Sequence, residues 1–306
     1  MGLLTVARTA ASEQWTQGPP IGHMKRPGAT EERPSMPTAD QSFRFTYAIL
    51  RQPAESIVEG LRAVDTGTPD IALFRQHHAA YRDALEAAGM ATTVLPPLEE
   101  FPDSVFVEDA ALCLPEGAIV MRPGAPTRLG EAVMIEPALR AAYGEVCHLP
   151  SLGDHGHGRI EGGDVLVTGG EILVGRSART NGAGIEALRV TVADWGYRVR
   201  ELATPPEVLH FKTDCGLLDG ETILTTRRLA AGGGLDGYRL IHTAEGEEAA
   251  ANAVRVNDVV LMPAGFPRTA DSVRAAGYEI VELPNTEAAK VDGGMSCLSL
   301  RFAAPA

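Results

Sequence analysis

The segment Asp292-Gly293-Gly294-Met295-Ser296-Cys297 holds the residue best suited to covalent chemistry. The thiolate is the reactive form of cysteine, and a nearby cation and polar loop can stabilise it. Two glycines allow close backbone approach to a ligand, and the small Ser296 leaves the sulfur accessible. Taken alone, a cysteine at a strand start reads more readily as a packing residue, since free cysteine is a small buried hydrophobe. His210 lies in Val208-Leu209-His210-Phe211-Lys212-Thr213. Its apolar neighbours and Lys212 predict a partly buried imidazole whose pKa is lowered by desolvation and positive charge. Such a group could take and give a proton near neutral pH. The alternative is a core histidine bonded to a backbone carbonyl.

Acidic and basic residues supply possible partners. Glu161-Gly162-Gly163-Asp164 repeats the carboxylate-Gly-Gly pattern, and Glu161 could orient His210; otherwise it is an acidic turn before a strand. Phe101-Pro102-Asp103-Ser104-Val105-Phe106-Val107-Glu108-Asp109 puts three acids near one strand edge. A guanidinium offers five donors in a planar fork, so Glu108 and Asp109 are candidate guanidinium acceptors. A solvated acidic loop fits poorly with Val105, Phe106 and Val107. Arg122 and Arg179 occupy equivalent loops and could clamp a carboxylate bidentately, or pair with surface acids. His155 and His157 could chelate a metal, but no third strong ligand follows at a familiar spacing, so a Gly-rich loop and no metal are expected. There is no P-loop, dinucleotide fingerprint or G-x-S-x-G, and AAGGGLDG (230–237) reads as a loop.

These residues need elements to hold them. Short apolar runs predict strands at 45–50, 92–96, 111–114, 118–121, 164–168, 171–175, 216–219, 222–226, 253–257, 258–263 and 296–302. PEG, GG and ND join three pairs of them as hairpins. Helical spacing with a glycine stop runs over 71–89, 185–196 and 269–277. Five units of hairpin plus helix read as a repeat in which no unit buries its face alone. Circular closure would gather the hairpin ends around one site; a plain α/β sandwich of mixed strands is the alternative.

The chain has 306 residues, 44% hydrophobic but only 5% aromatic, so an aliphatic core is expected. A formal charge of -13 disfavours nucleic acid as a partner and weakly favours a cationic small molecule. Four scattered cysteines form no disulfide framework. No apolar run approaches a membrane span, so no membrane partner and a cytoplasmic location are expected. Residues 1–43, rich in proline and charge, are expected to be a disordered extension, with 44–306 forming a single catalytic domain. The opening is too weakly apolar and basic for a secretory signal, and Met24 and Met36 are alternative starts.

Together FPDSVFVED (101–109), MRPGAPTR (121–128), EGGD (161–164), SARTN (177–181), VLHFKT (208–213), VNDVVLMPAGFPRT (256–269) and DGGMSCLSLRF (292–302) resemble the dimethylarginine dimethylaminohydrolase family, within the guanidino-group-modifying superfamily. The resemblance spans about residues 46–303. It implies a five-bladed α/β propeller of ββαβ repeats around a central active site. The implied activity is hydrolysis of asymmetric dimethylarginine and monomethylarginine to citrulline, without a cofactor and through a covalent cysteine intermediate. Cys297 matches the nucleophile, His210 the proton donor and later base, and Glu161 its orienting acid. Glu108 and Asp109 match residues that bind the guanidinium. Asp103 matches one near the substrate's α-amino end, with backbone carbonyls at Leu61 and Val291. Arg122 and Arg179 match the arginines that bind the α-carboxylate. A homodimer is compatible with this reading. Residues 1–43 have no counterpart, the loop 151–159 looks longer than usual, and Phe211 stands where leucine is more usual. Arginine deiminase, amidinotransferase, a non-catalytic methylarginine binder and a scaffold protein are the competing readings, in that order.

Overall fold

The computed structural model describes residues 42–152 and 158–304. Most of the 1–43 segment, together with His155 and His157, lies outside the described residues. Phe43 does not: its carbonyl accepts from Asn257 N–H at 2.8 Å, and the Arg255 guanidinium sits 4.9 Å from its ring centre.

Five three-stranded sheets repeat one plan. In the second blade β3 (Ala111–Leu114) pairs antiparallel with β4 (Gly117–Val120), helices α2 (Leu129–Val133) and α3 (Glu136–Tyr143) follow, and β5 (Val146–His148) returns parallel to β4. The third blade is β6 (Val165–Val167), β7 (Ile172–Arg176), α4 (Gly182–Ala193) and β8 (Val199–Ala203). The fourth is β9 (Cys215–Leu217), β10 (Thr222–Thr225), α5 (Arg227–Ala231) and β11 (Arg239–His242). The fifth is β12 (Val254–Val256), β13 (Val259–Pro263), α6 (Pro267–Ala275) and β14 (Glu279–Leu283). The first blade is shared between the two ends of the folded chain. There β1 (Tyr47–Arg51) pairs parallel with β2 (Ala91–Leu95) across α1 (Ile71–Ala87), and antiparallel with β15 (Leu300–Phe302). A short helix, α7 (Thr286–Ala289), precedes the nucleophile segment.

The core shows that the blades form a ring. Apolar side chains gather in five clusters, each between neighbouring blades. Ile49 and Phe302 meet Ala111 and Val120, while Leu112 and Ile119 meet Val165 and Ile172. Leu166 and Leu173 meet Leu217 and Ile223; Leu218 and Leu224 meet Val260 and Met262. Val254 and Leu261 then meet Ala48 and Leu50, which closes the circle. Each sheet covers a neighbour on either side, as the repeat reading expects.

Local chemistry fixes the elements that carry the site. Asn181 caps α4, its Oδ1 accepting from Gly184 N–H at 2.9 Å and also from Arg159 N–H at 3.0 Å. Asp70 caps α1 through Leu73 N–H, and Pro267 opens α6 where a missing N–H costs nothing. Asn257, in the predicted Asn-Asp turn, takes φ of 54° between β12 and β13. One expected strand is shorter than its sequence suggests: residues 296–298 form a 3-10 turn, and only 300–302 pair.

Candidate active site

The 3-10 turn Ser296–Leu298 immediately precedes β15, so ring closure places Cys297. The side chain is 8% exposed, and its Sγ accepts from Gly294 N–H at 3.4 Å. Burial, then the carboxylates of Glu108 and Asp109, push the thiol up to about 12.

His210 begins the turn Phe211–Thr213 that connects the third blade to the fourth. Asp164 secures that turn, accepting from Phe211 N–H at 2.8 Å and from Ser177 Oγ at 2.7 Å. His210 Nε2 lies 2.5 Å from Oε2 of the fully buried Glu161. The other Glu161 oxygen accepts from Gly124 N–H at 2.8 Å and Ala125 N–H at 3.3 Å, with Arg179 Nη1 3.6 Å away. The RPGAPTR and SARTN loops therefore converge on one carboxylate.

The electrostatics correct one expectation. Burial by itself would lower the His210 pKa, but Asp109, the bond to Glu161 and the charge of Asp164 outweigh it and raise the group to about 9. Lys212, expected to depress the imidazole, is instead paired with Glu108 at 2.7 Å. At neutral pH His210 is an imidazolium. Burial would raise the Glu161 carboxyl, but the hydrogen bond and charge of His210 hold it well below the usual carboxylate range.

Asp109 completes the cluster. Its Oδ1 accepts from Gly163 N–H at 2.8 Å and lies 4.0 Å from His210 Nε2. A Cβ on Gly163 would fall 2.7 Å from that oxygen and 2.8 Å from His210 Nδ1, so only glycine lets the two groups come this close.

One small cleft is lined by Leu61, Asp103, Asp109, Arg179, His210, Val291 and Cys297. Glu161 stands behind His210. Asp103 at the wall is raised by burial and accepts from Leu61 N–H at 2.9 Å. Besides Glu161, two expected residues do not line the cavity, Glu108 and Arg122. Glu108 binds Lys212 and Arg301 Nη2, each at 2.7 Å, and Ser296 Oγ at 2.8 Å, and it faces a second, wider cavity. Its carboxylate is already engaged by two cations. Arg122 bridges Ile160 through its backbone, beside Glu161, with a half-buried side chain.

The arrangement pairs a buried thiol and an imidazolium with a carboxylate able to face a cation. A family model described as arginine deiminase matches residues 63–234. The N(G),N(G)-dimethylarginine dimethylaminohydrolase of Pseudomonas aeruginosa is 38% identical over 259 residues, covering 84% of this chain and all of that one. The chain belongs to the dimethylarginine dimethylaminohydrolase family. A Streptomyces coelicolor protein of the same name is 35% identical over 83% of this chain and 96% of its own. The solved dimethylarginine dimethylaminohydrolase of Pseudomonas aeruginosa, a cysteine-to-serine variant complexed with citrulline, superposes with a TM-score of 0.81 at 38% identity, over 85% of this chain and all of that one.

In this member of the dimethylarginine dimethylaminohydrolase family, sequence reasoning passed over Arg128 and Asp292. Arg128 closes the RPGAPTR motif and lines the cavity beneath Asp109. Asp292, at φ of 57°, lines the same cavity and accepts from Ala63 N–H at 2.6 Å. Both stood inside quoted motifs; only their side-chain directions were hidden. Donor atoms of Asp109, Glu161 and His210 lie within 4.8 Å of one another, the one such group among the described residues. Asp109 is paired with Arg128 and Glu161 with His210, so the trio reads as an ion-pair cluster. Among the described residues no helix is long and apolar enough to cross a membrane.

Proposed function

We propose that this protein hydrolyses asymmetric dimethylarginine and monomethylarginine to citrulline and the corresponding methylamine, with Cys297 as nucleophile. The convergence of Cys297, His210 backed by Glu161, and Asp109 on one cavity carries the reading. Relatives named as dimethylarginine dimethylaminohydrolases support it, as does the citrulline complex of one of them.

The guanidinium docks on Asp109. The α-amino group lies toward Asp103 and the carbonyls of Leu61 and Val291. Arg179 takes the α-carboxylate, joined by Arg122 from the adjoining loop, and Glu108 acts on the site through its charge rather than by contact. Fixing both ends of the substrate lowers the barrier by on the order of several kcal/mol. Without a bound cation, burial and then the carboxylates of Glu108 and Asp109 raise the thiol's pKa and favour its neutral form. An arriving guanidinium cation offsets them, so binding itself favours the thiolate. Cys297 Sγ then attacks the central guanidinium carbon. The His210 imidazolium protonates the departing amine, leaving a thiouronium on Cys297. Neutral His210 next takes a proton from water as the water adds, and collapse releases citrulline and the cysteine. The raised pKa suits the first of these roles.

The test is citrulline release from asymmetric dimethylarginine, monomethylarginine and arginine, measured on one preparation. Preference for the methylated substrates is expected. The family model described as arginine deiminase favours a second reading, in which arginine itself is turned over and ammonia leaves. Turnover of arginine alone would decide for it, and turnover of none would sink both.

A further inference from the structure

We propose that Asn252 is a positioning residue for this reaction: its carboxamide ties the histidine's turn to the cysteine's turn and sets the Gly294 N–H against Cys297 Sγ. The proposal rests on the function proposed above.

Asn252 follows the 3-10 turn Glu248–Ala251, two residues before β12, and does not line the cavity. It is 7% exposed. Its Nδ2 donates to the carbonyl of Lys212 at 2.9 Å, two residues beyond His210. Its Oδ1 accepts from Ser296 N–H at 2.9 Å, one residue before Cys297. The partners fix which end of the amide is which: a carbonyl must meet the nitrogen, and an N–H must meet the oxygen. Neutral and bifunctional, the side chain joins two turns that belong to different blades.

It also supports the nucleophile's backbone. A Cβ on Gly294 would lie 2.2–2.5 Å from Cγ, Oδ1 and Nδ2 of Asn252, so the carboxamide packs directly on the Gly294 main chain. The N–H of that glycine reaches Cys297 Sγ. It lowers the thiol's pKa against the upward push of burial, Glu108 and Asp109. The second glycine before the cysteine is thus required by a side chain from another blade. Removing the carboxamide frees both turns and loosens the donor on sulfur. Aspartate keeps the shape but turns an oxygen toward the Lys212 carbonyl, which repels it.

The experiment compares the parent protein with Asn252→Asp, Asn252→Ala, Gly294→Ala and the double variant Asn252→Ala/Gly294→Ala. Steady-state kinetics are paired with the pH dependence of Cys297 alkylation by iodoacetamide, read on the Cys297 peptide by mass spectrometry. In both Asn252 variants kcat should fall roughly 10- to 100-fold with KM changed less than about threefold, because turns held slightly out of register cost rate more than binding. The Cys297 alkylation limb should move to higher pH. The double variant should be no worse than the weaker of the two singles, since one contact joins them. An unmoved alkylation limb in folded Asn252→Ala overturns the proposal. Should that variant fail to fold, the isosteric Asn252→Asp decides by the same limb. If the parent turns over no methylarginine, the proposed activity falls, while the alkylation profiles still decide the role of Asn252.

Discussion

The carboxylate of Asp109 is held from behind by the guanidinium of Arg128, whose Nη1 donates to Asp109 Oδ2 at 2.6 Å. The grip is itself braced. Arg128 Nε donates to Glu131 Oε1 at 2.9 Å, and its Nη2 donates to that oxygen and to the carbonyls of Asp103 and Phe106. All three ionic side chains are buried. The proposed guanidinium-binding carboxylate thus already carries a resident guanidinium on Oδ2, which fixes its orientation with the side chain on the cavity wall.

Replacing Arg128 by methionine leaves two buried carboxylates without their cation. Loss of one partner from a buried ionic cluster costs about 3–5 kcal/mol, and urea unfolding should show a loss of that size. Arg128→Lys keeps the charge but not the fork, and should raise KM for methylarginine more than it lowers kcat. A fall confined to kcat, with KM unchanged, would contradict an Arg128 that acts through Asp109.

His210 is protonated up to about pH 9, so the acid limb of kcat should fall as pH rises through that value. Glu161→Gln removes one group that raises the imidazole, and the limb should move down toward the ordinary histidine value of 6.5. Folding stability follows the same sign. A raised histidine pKa contributes fully below 6.5 and is lost as pH climbs through about 9, so thermal unfolding should fall across that window in the parent and less in Glu161→Gln.

Gly163→Ala places a methyl group between Asp109 Oδ1 and His210 Nδ1. Separating the two groups by even part of an ångström should reduce kcat by roughly 100-fold. Circular dichroism would confirm an intact fold, and activity within about twofold of the parent would refute the close approach.

Cys297→Ser should fold normally and release no citrulline, because a serine hydroxyl is a far weaker nucleophile than a thiolate and the imidazole lining the same cavity is already protonated. Trapping of a covalent adduct by rapid acid quench, seen in the parent and absent from Cys297→Ser, would check the intermediate.

The hairpins and the three longer helices were legible because apolar runs alternate with turn residues such as Asn257-Asp258. The third strands β5, β8, β11 and β14 were not, because each lies at a sheet edge and mixes exposed polar with apolar positions. Within the site, adjacency in sequence misled for Glu108. It and Asp109 share the 3-10 turn Val107–Ala110, where successive side chains project about 120° apart, so only one faces the cavity. The same sequence neighbourhood suggested that Lys212 would act on His210, yet Glu108 from a different blade takes its charge. Residue type announced the chemistry, whereas partner choice depended on how blades meet.

The pairing of Tyr47 with Phe302 has a consequence for the newly made chain. Histidine, its glutamate and the cation-binding carboxylate come from blades two to four, which can assemble early. The thiol's place depends on β15 reaching β1, a contact of very high sequence separation whose loop-closure cost slows such pairings. A nascent, nicked or shortened chain therefore carries the charges of the site without an aligned nucleophile. Alignment of the nucleophile with its proton donor waits on closure of the ring, even where the other blades are already formed.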